Sequence, residues 1–129
     1  NATHIQFAFI ATIFYMFAQS WIMFYFIGSG KTIKETILKH KLDKNLYQKV
    51  INSKRKLFPH LTLNILLIGT VFVIGGGVQT KVISGTTHGW LFILSIVHLL
   101  YLIKLEHEAF KDTSEMLSIL GAMINEKEI

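Results

Sequence analysis

The chain has 129 residues with one Pro and no Cys, and 51% of it is apolar while only 16% is charged. Soluble domains carry about 25% charged residues, so composition already argues against an ordinary soluble fold. The absence of Cys excludes disulfides, thiolate iron–sulfur ligation and Cys-ligated zinc, and the net charge of +5 matters less than where the charges fall.

Three apolar runs follow one another: Ile5–Gly28, Leu57–Val78 and Gly89–Ile103, the last extended by Thr86–His88 and the stem of Lys104. A membrane-spanning helix needs about 20 predominantly apolar residues. The chain is therefore expected to be an all-α membrane protein with spans at about 5–28, 57–78 and 87–106. A soluble bundle of apolar helices is the competing reading, but so short a chain has too little polar surface to cover three such runs. The first run is not read as a signal peptide: "NATH" lacks basic residues, and the run outlasts a usual signal core. Pro59 is placed in the first turn of the second span, where its missing N–H is harmless.

Residues 29–56 carry Lys31, Lys34, Lys39, Lys41, Lys44, Lys49, Lys54, Arg55 and Lys56 against Glu35 and Asp43, whereas the opposite connection carries only Lys81. The positive-inside rule puts the basic loop in the cytoplasm, the N-terminus outside and the C-terminus inside. Within this loop Ile33, Ile37 and Leu38, then Leu46, Val50 and Ile51, recur at helical spacing. Two short helices are expected there, as continuations of the first two spans. Their basic flanks suit anionic lipid headgroups, or simply each other.

The tail, 107–129, turns acidic through Glu108, Asp112, Glu115, Glu126 and Glu128. Phe110, Leu117, Leu120 and Ile124 repeat at helical intervals, which predicts an amphipathic cytoplasmic helix. "DTSE" at Asp112–Glu115 resembles a capping box at its start. Such a helix can lie across the basic loop, acid against base. Met116, Leu117, Leu120, Met123 and Ile124 are nevertheless expected to bury poorly within so small a chain, which favours a partner subunit.

Polar residues inside spans are costly and should face inward and meet. Counting about 1.5 Å per residue from the inner boundaries puts His98 at about 12 Å, Gln19 at about 13 Å and Asn64 at about 10 Å depth. All three spans thus offer a polar group near one level, with Ser95 one turn from His98. The layer can be structural glue, with amides and imidazole bonding across helices. It can instead ligate haem b through His98, or bond a quinone carbonyl through His98, Gln19 or Asn64. His60, at about 4–5 Å depth, is the nearest second haem ligand and falls short of His98 by this count. His4 and His88 sit at the outer surface as a candidate metal pair. His60, His107, Glu106 and Glu108 form a further group at the inner surface.

Other motifs carry less. "GSGKT" at Gly28–Thr32 lacks the Gly and the preceding strand of a phosphate-binding loop; Gly28 and Gly30 are expected to end the first helix. Gly75–Gly77 allow close helix approach or end the second span. Asn1-Ala2-Thr3 fits a glycosylation pattern by three residues only. The basic loop lacks the aromatic interleaving of nucleic-acid binders, so no nucleic-acid partner is expected.

Three spans with embedded His resemble the cytochrome-b anchor subunits of succinate dehydrogenase and fumarate reductase. "FPHLTL" at Phe58–Leu63 is similar to the "SPHLxIY" stretch of one such anchor. In those anchors the motif precedes the first span, whereas here it opens the second, and His88 and His98 do not reproduce the downstream "HxxxGxRH". No ligand assignment carries over.

No Ser–His–acid, paired-carboxylate or complete metal set is visible, so catalysis by this chain alone is not expected. No paired broken helices mark a transporter either. The leading expectation is a non-catalytic accessory subunit of a hetero-oligomeric, energy-converting or redox complex, in the cytoplasmic membrane of a prokaryote or an equivalent membrane. The alternative is a haem b- or quinone-binding anchor that takes part in electron transfer.

Overall fold

The computed structural model describes residues 2–128. It is all-helical, with α1 (Ala2–Lys39), α2 (Leu46–Gln79) and α3 (Gly85–Glu128), and no strand among the described residues. Each helix contains a stretch long and apolar enough to cross a membrane. The basic loop is helical as expected: its two stripes are the end of α1 and the beginning of α2.

The two connections are built alike. Lys41 and Lys81 adopt left-handed backbone, with φ of 51° and 62°. At the first, Leu42 N–H donates to Ile37 O (2.9 Å) and Lys41 N–H to Leu38 O (3.3 Å); at the second, Val82 N–H donates to Gly77 O (2.9 Å) and Lys81 N–H to Val78 O (3.0 Å). This pairing of a six-to-one with a five-to-two bond is the Schellman motif, which satisfies carbonyls orphaned at a helix end. Ser84 then caps α3, its hydroxyl accepting from Thr87 N–H at 3.2 Å.

Several local expectations are corrected. Gly28 and Gly30 do not end α1, which runs nine residues beyond Gly30 to Lys39. Gly30 instead permits close approach: a Cβ there would lie 1.8 Å from Lys54 Nζ. "DTSE" starts no helix but lies inside α3, because Ser53 and Lys49 engage Asp112 before it can cap. Pro59 is interior to α2 rather than in its first turn, since the helix begins in the loop at Leu46. Its missing N–H therefore removes the bond that Arg55 O would have received.

The helices contribute to two compact units. One, the apolar unit, takes the chain up to Trp21 together with Pro59–Ile103. It is inside-out by the standards of water: Gln19, Asn64 and Ser95 are buried with Leu61 and Leu102, while Phe7, Phe14, Phe17, Leu66, Val73 and Trp90 stand exposed. Only an apolar surrounding makes that arrangement favourable. The chain is an integral membrane protein.

The other, the charged unit, takes Ile22–Phe58 together with Lys104 onward. Its core joins Ile33 and Ile37 of α1, Val50 of α2, and Met116 and Leu120 of α3, flanked by Leu42, Leu46 and Tyr47. The expectation that the tail's apolar stripe would bury poorly is thus wrong for Met116 and Leu120. The extensions of α1 and α2 supply the two missing walls of a three-helix core. Leu38 and Leu117 of the expected stripes stay exposed. Acid does lie against base: Lys49 approaches Asp112 (3.8 Å) and Glu115 (3.4 Å), and Lys56 approaches Glu108 (3.7 Å). Such exposed pairs are each worth at most about 1 kcal/mol, so the apolar core dominates.

Lys54, over Gly30, takes no part in these pairs. Burial lowers the pKa of its ammonium from the usual 10.5. A cation disfavoured in the folded state makes stability rise as pH climbs through the lowered pKa toward 10.5. Lys54→Met keeps the packing of the stem and removes the charge. We expect its unfolding midpoint at neutral pH to equal or exceed that of the unaltered chain, and the alkaline rise to vanish. A lower midpoint in detergent unfolding would show that the charge is useful where it sits.

Candidate intramembrane site

The polar centre of the apolar unit is organised by one residue. Asn64, fully buried on α2, contacts both other helices. Its Oδ1 accepts from the Tyr15 hydroxyl of α1. Its Nδ2 donates to the Ser95 carbonyl of α3 at 3.2 Å and meets His98 Nδ1 at 2.8 Å. Ser95 turns its own hydroxyl back to Leu91 O at 2.8 Å. His98 Nε2 in turn lies 3.2 Å from His60 Nδ1, and Tyr101 stands edge-on to the His60 ring with centroids 5.1 Å apart.

The Ser95 carbonyl orders the protons along this path. A backbone carbonyl only accepts, so the amide atom facing it must be the NH2 group. That same group then donates to His98 Nδ1, which must be unprotonated. Neutral His98 therefore carries its proton on Nε2 and donates it to His60 Nδ1. The result is a directed line from the Tyr15 hydroxyl through Asn64 and His98 to His60, with both imidazoles neutral.

Of the residues expected to form the layer, Asn64, His98 and Ser95 meet. His60 joins them although depth counting had separated it from His98. The count followed Cα positions along each axis, and the two imidazole rings bridge the counted offset of about 7–8 Å. Gln19 is buried but stays outside the hydrogen-bonded line, and its Oε1 has no hydrogen-bond partner among the described residues. Tyr15, one turn from Gln19 on the same face of α1, makes the contact instead. Its signal was that i, i+4 relation, passed over because the layer was sought among amides and imidazoles.

The outer pair is less developed. His4 is exposed near the start of α1. The ring of His88 packs on Gly75, whose Cβ, if present, would meet it at 3.2 Å. Close packing is thus one use of the glycine run. Among the described residues no group of three or more His, Asp or Glu is arranged to hold a metal ion. The expected inner group is divided: His60 bonds His98, Glu108 pairs with Lys56, and His107 is exposed.

Haem ligation by two imidazoles requires their nitrogens to face each other across the iron with the macrocycle between. Here the two rings touch directly, and Asn64 holds the other nitrogen of His98. A porphyrin between His60 and His98 does not fit this packing. A quinone carbonyl needs donors, and those of Asn64 and neutral His98 are already used. The amide of Gln19 and, at the end of the line, the Nε2–H of His60 are the polar groups the network leaves over.

Comparison with protein-family models, with curated proteins and with solved structures gave no match. What the site can do is therefore argued from its own chemistry: it ties three helices together within lipid, and it holds two neutral imidazoles in hydrogen-bond contact.

Proposed function

We propose that this chain is a small, non-catalytic accessory subunit of a larger membrane complex, of the energy-converting or redox kind, in the cytoplasmic membrane of a prokaryote or its equivalent. One observation carries the reading. On α1, Phe7, Ile10, Phe14, Phe17 and Trp21 stand exposed at alternating steps of three and four residues. That spacing is the seam of helices packed at a shallow left-handed angle and supports a neighbouring transmembrane helix on this face, although Phe9 and Ile13 beside it are exposed too. In the polar centre, meanwhile, Asn64 and His98 bond to protein partners.

Gentle solubilisation of the native membrane should bring the chain out with other subunits. Its recovery as a lone monomer would contradict the proposal. Orientation is checked in the same material. The sequence contains no Cys, so single cysteines at Lys44 and Val82 report the two connections. Impermeant maleimide should label V82C from outside and K44C only after permeabilisation.

A second reading is a quinone- or haem-binding anchor; its quinone form alone is favoured, by the buried Oε1 of Gln19, which has no hydrogen-bond partner among the described residues. A quinol hydroxyl would donate to it. Retained quinone, or a reducible haem band in a redox-difference spectrum of the purified chain, would support this reading; the absence of both would end it.

A further inference from the structure

The charged unit contains a recess of about 240 Å³ between α2 and α3, lined by Lys49, Asn52, Ser53 and Lys56 on one side and Glu108 and Asp112 on the other, over Leu57 and Leu105. Three features define what it would take. The first is its level: Leu57 opens the second expected span and Leu105 lies at the inner end of the third, so its floor is apolar and its walls are charged, as at the headgroup depth of a bilayer. The second is its charge. Two ammonium groups face two carboxylates, so the lining is neutral overall and bipolar.

The third is spare bonding capacity. Asn52 accepts from Gln48 through Oδ1 at 3.0 Å, which leaves its NH2 group as a donor. The ion pairs that cross the recess are long, 3.7 Å for Lys56–Glu108 and 3.8 Å for Lys49–Asp112, and loose enough to admit a ligand that pairs with both partners. Ser53 holds Asp112 in place through a 2.7 Å bond to Oδ2.

The geometry points to a binding site for the headgroup of a zwitterionic phospholipid bearing a primary amine, a phosphoethanolamine. Its phosphate takes Lys49, Lys56 and the Asn52 amide. Its ammonium donates to Glu108 and Asp112, and its glycerol rests on Leu57 and Leu105. A purely anionic headgroup meets two carboxylates with no cation of its own to offer them. A choline headgroup keeps the charges but has no N–H to donate. The site is independent of which complex the chain joins.

The test uses the full chain, equilibrated with vesicles of equimolar phosphatidylethanolamine, phosphatidylcholine and phosphatidylglycerol, repurified, and analysed for retained lipid. Phosphatidylethanolamine should be enriched several-fold over both others. Glu108→Gln should bring its ratio to phosphatidylcholine close to one, and Lys56→Gln should lower retention of both. Both side chains are largely exposed, so neither change should alter the unfolding midpoint.

Should a variant fail to fold, N-methylated phosphatidylethanolamines on the unaltered chain give the same answer: retention should fall stepwise with each methyl. Soluble glycerophosphoethanolamine should compete, whereas inorganic phosphate should not. Retention in bulk proportion, dominance of phosphatidylglycerol, indifference to methylation, or competition by phosphate alone would each overturn the assignment.

Discussion

Replacing Asn64 by Leu should lower the stability of the chain in bicelles by about 2 kcal/mol, more than any other single polar substitution in the apolar unit. Leucine is close in size, so the cavity contribution is small and the loss is one of hydrogen bonds. The amide contacts Tyr15, Ser95 and His98, and so links all three helices. Interhelical hydrogen bonds in membranes average about 0.6 kcal/mol and reach about 1.7 kcal/mol. The part-buried His98 Nδ1 also loses the donor that the amide supplies. His98→Leu should cost less, about 1–2 kcal/mol, because Asn64 keeps Tyr15 and Ser95. Equal and small losses for the two would mean that Asn64 does not organise the site.

Leu120→Ala should cost about 2–4 kcal/mol through the charged unit. Leu120 is almost completely buried against Ile33, Ile37, Val50 and Met116, a cluster with contributions from all three helices. The change should free the end of α3, making 116–128 an early site of proteolysis in the detergent-purified chain. Leu38→Ala, at a position half exposed to solvent, serves as the control and should change stability by no more than about 0.5 kcal/mol. If the tail's apolar stripe were instead a docking surface for another subunit, Leu120→Ala would be as silent as Leu38→Ala in the isolated chain.

The spans were legible from the sequence because lipid imposes a simple rule, long apolar runs bounded by charge, and three runs met it. The helical character of the basic loop was legible from Ile33, Ile37 and Val50, whose spacing survived into the core. Helix ends were not. Gly28 and Gly30 look like terminators until Lys54 is found lying over Gly30, and Asp112 looks like a cap until Ser53 and Lys49 are found holding it. Tertiary partners overrode local preference in both cases. The true terminators, Lys41 and Lys81, are poor left-handed residues that sequence alone gives no reason to choose.

The polar layer was legible through Asn64 and His98 because amides and imidazoles stand out against apolar neighbours. Two details depended on side-chain reach, which a count of residues along an axis ignores. His60 bridges the counted offset in depth to reach His98, and Tyr15 rather than Gln19 reaches Asn64. The tail's burial was misjudged for a different reason: the stripe was weighed against one loop, whereas two helix extensions and the tail together make a closed core.

The central claim is that a directed hydrogen-bond line runs inside the membrane from Tyr15 through Asn64 and His98 to His60. Solid-state nitrogen NMR of histidine-labelled chain in bilayers, with His98 assigned by comparison with His98→Leu, tests it most directly. His98 should be neutral at pH 7, protonated on Nε2 and bare on Nδ1, with a through-bond coupling from Nε2 to His60 Nδ1. A proton on His98 Nδ1, or a His98 ring in free exchange with water and uncoupled from His60, would contradict it.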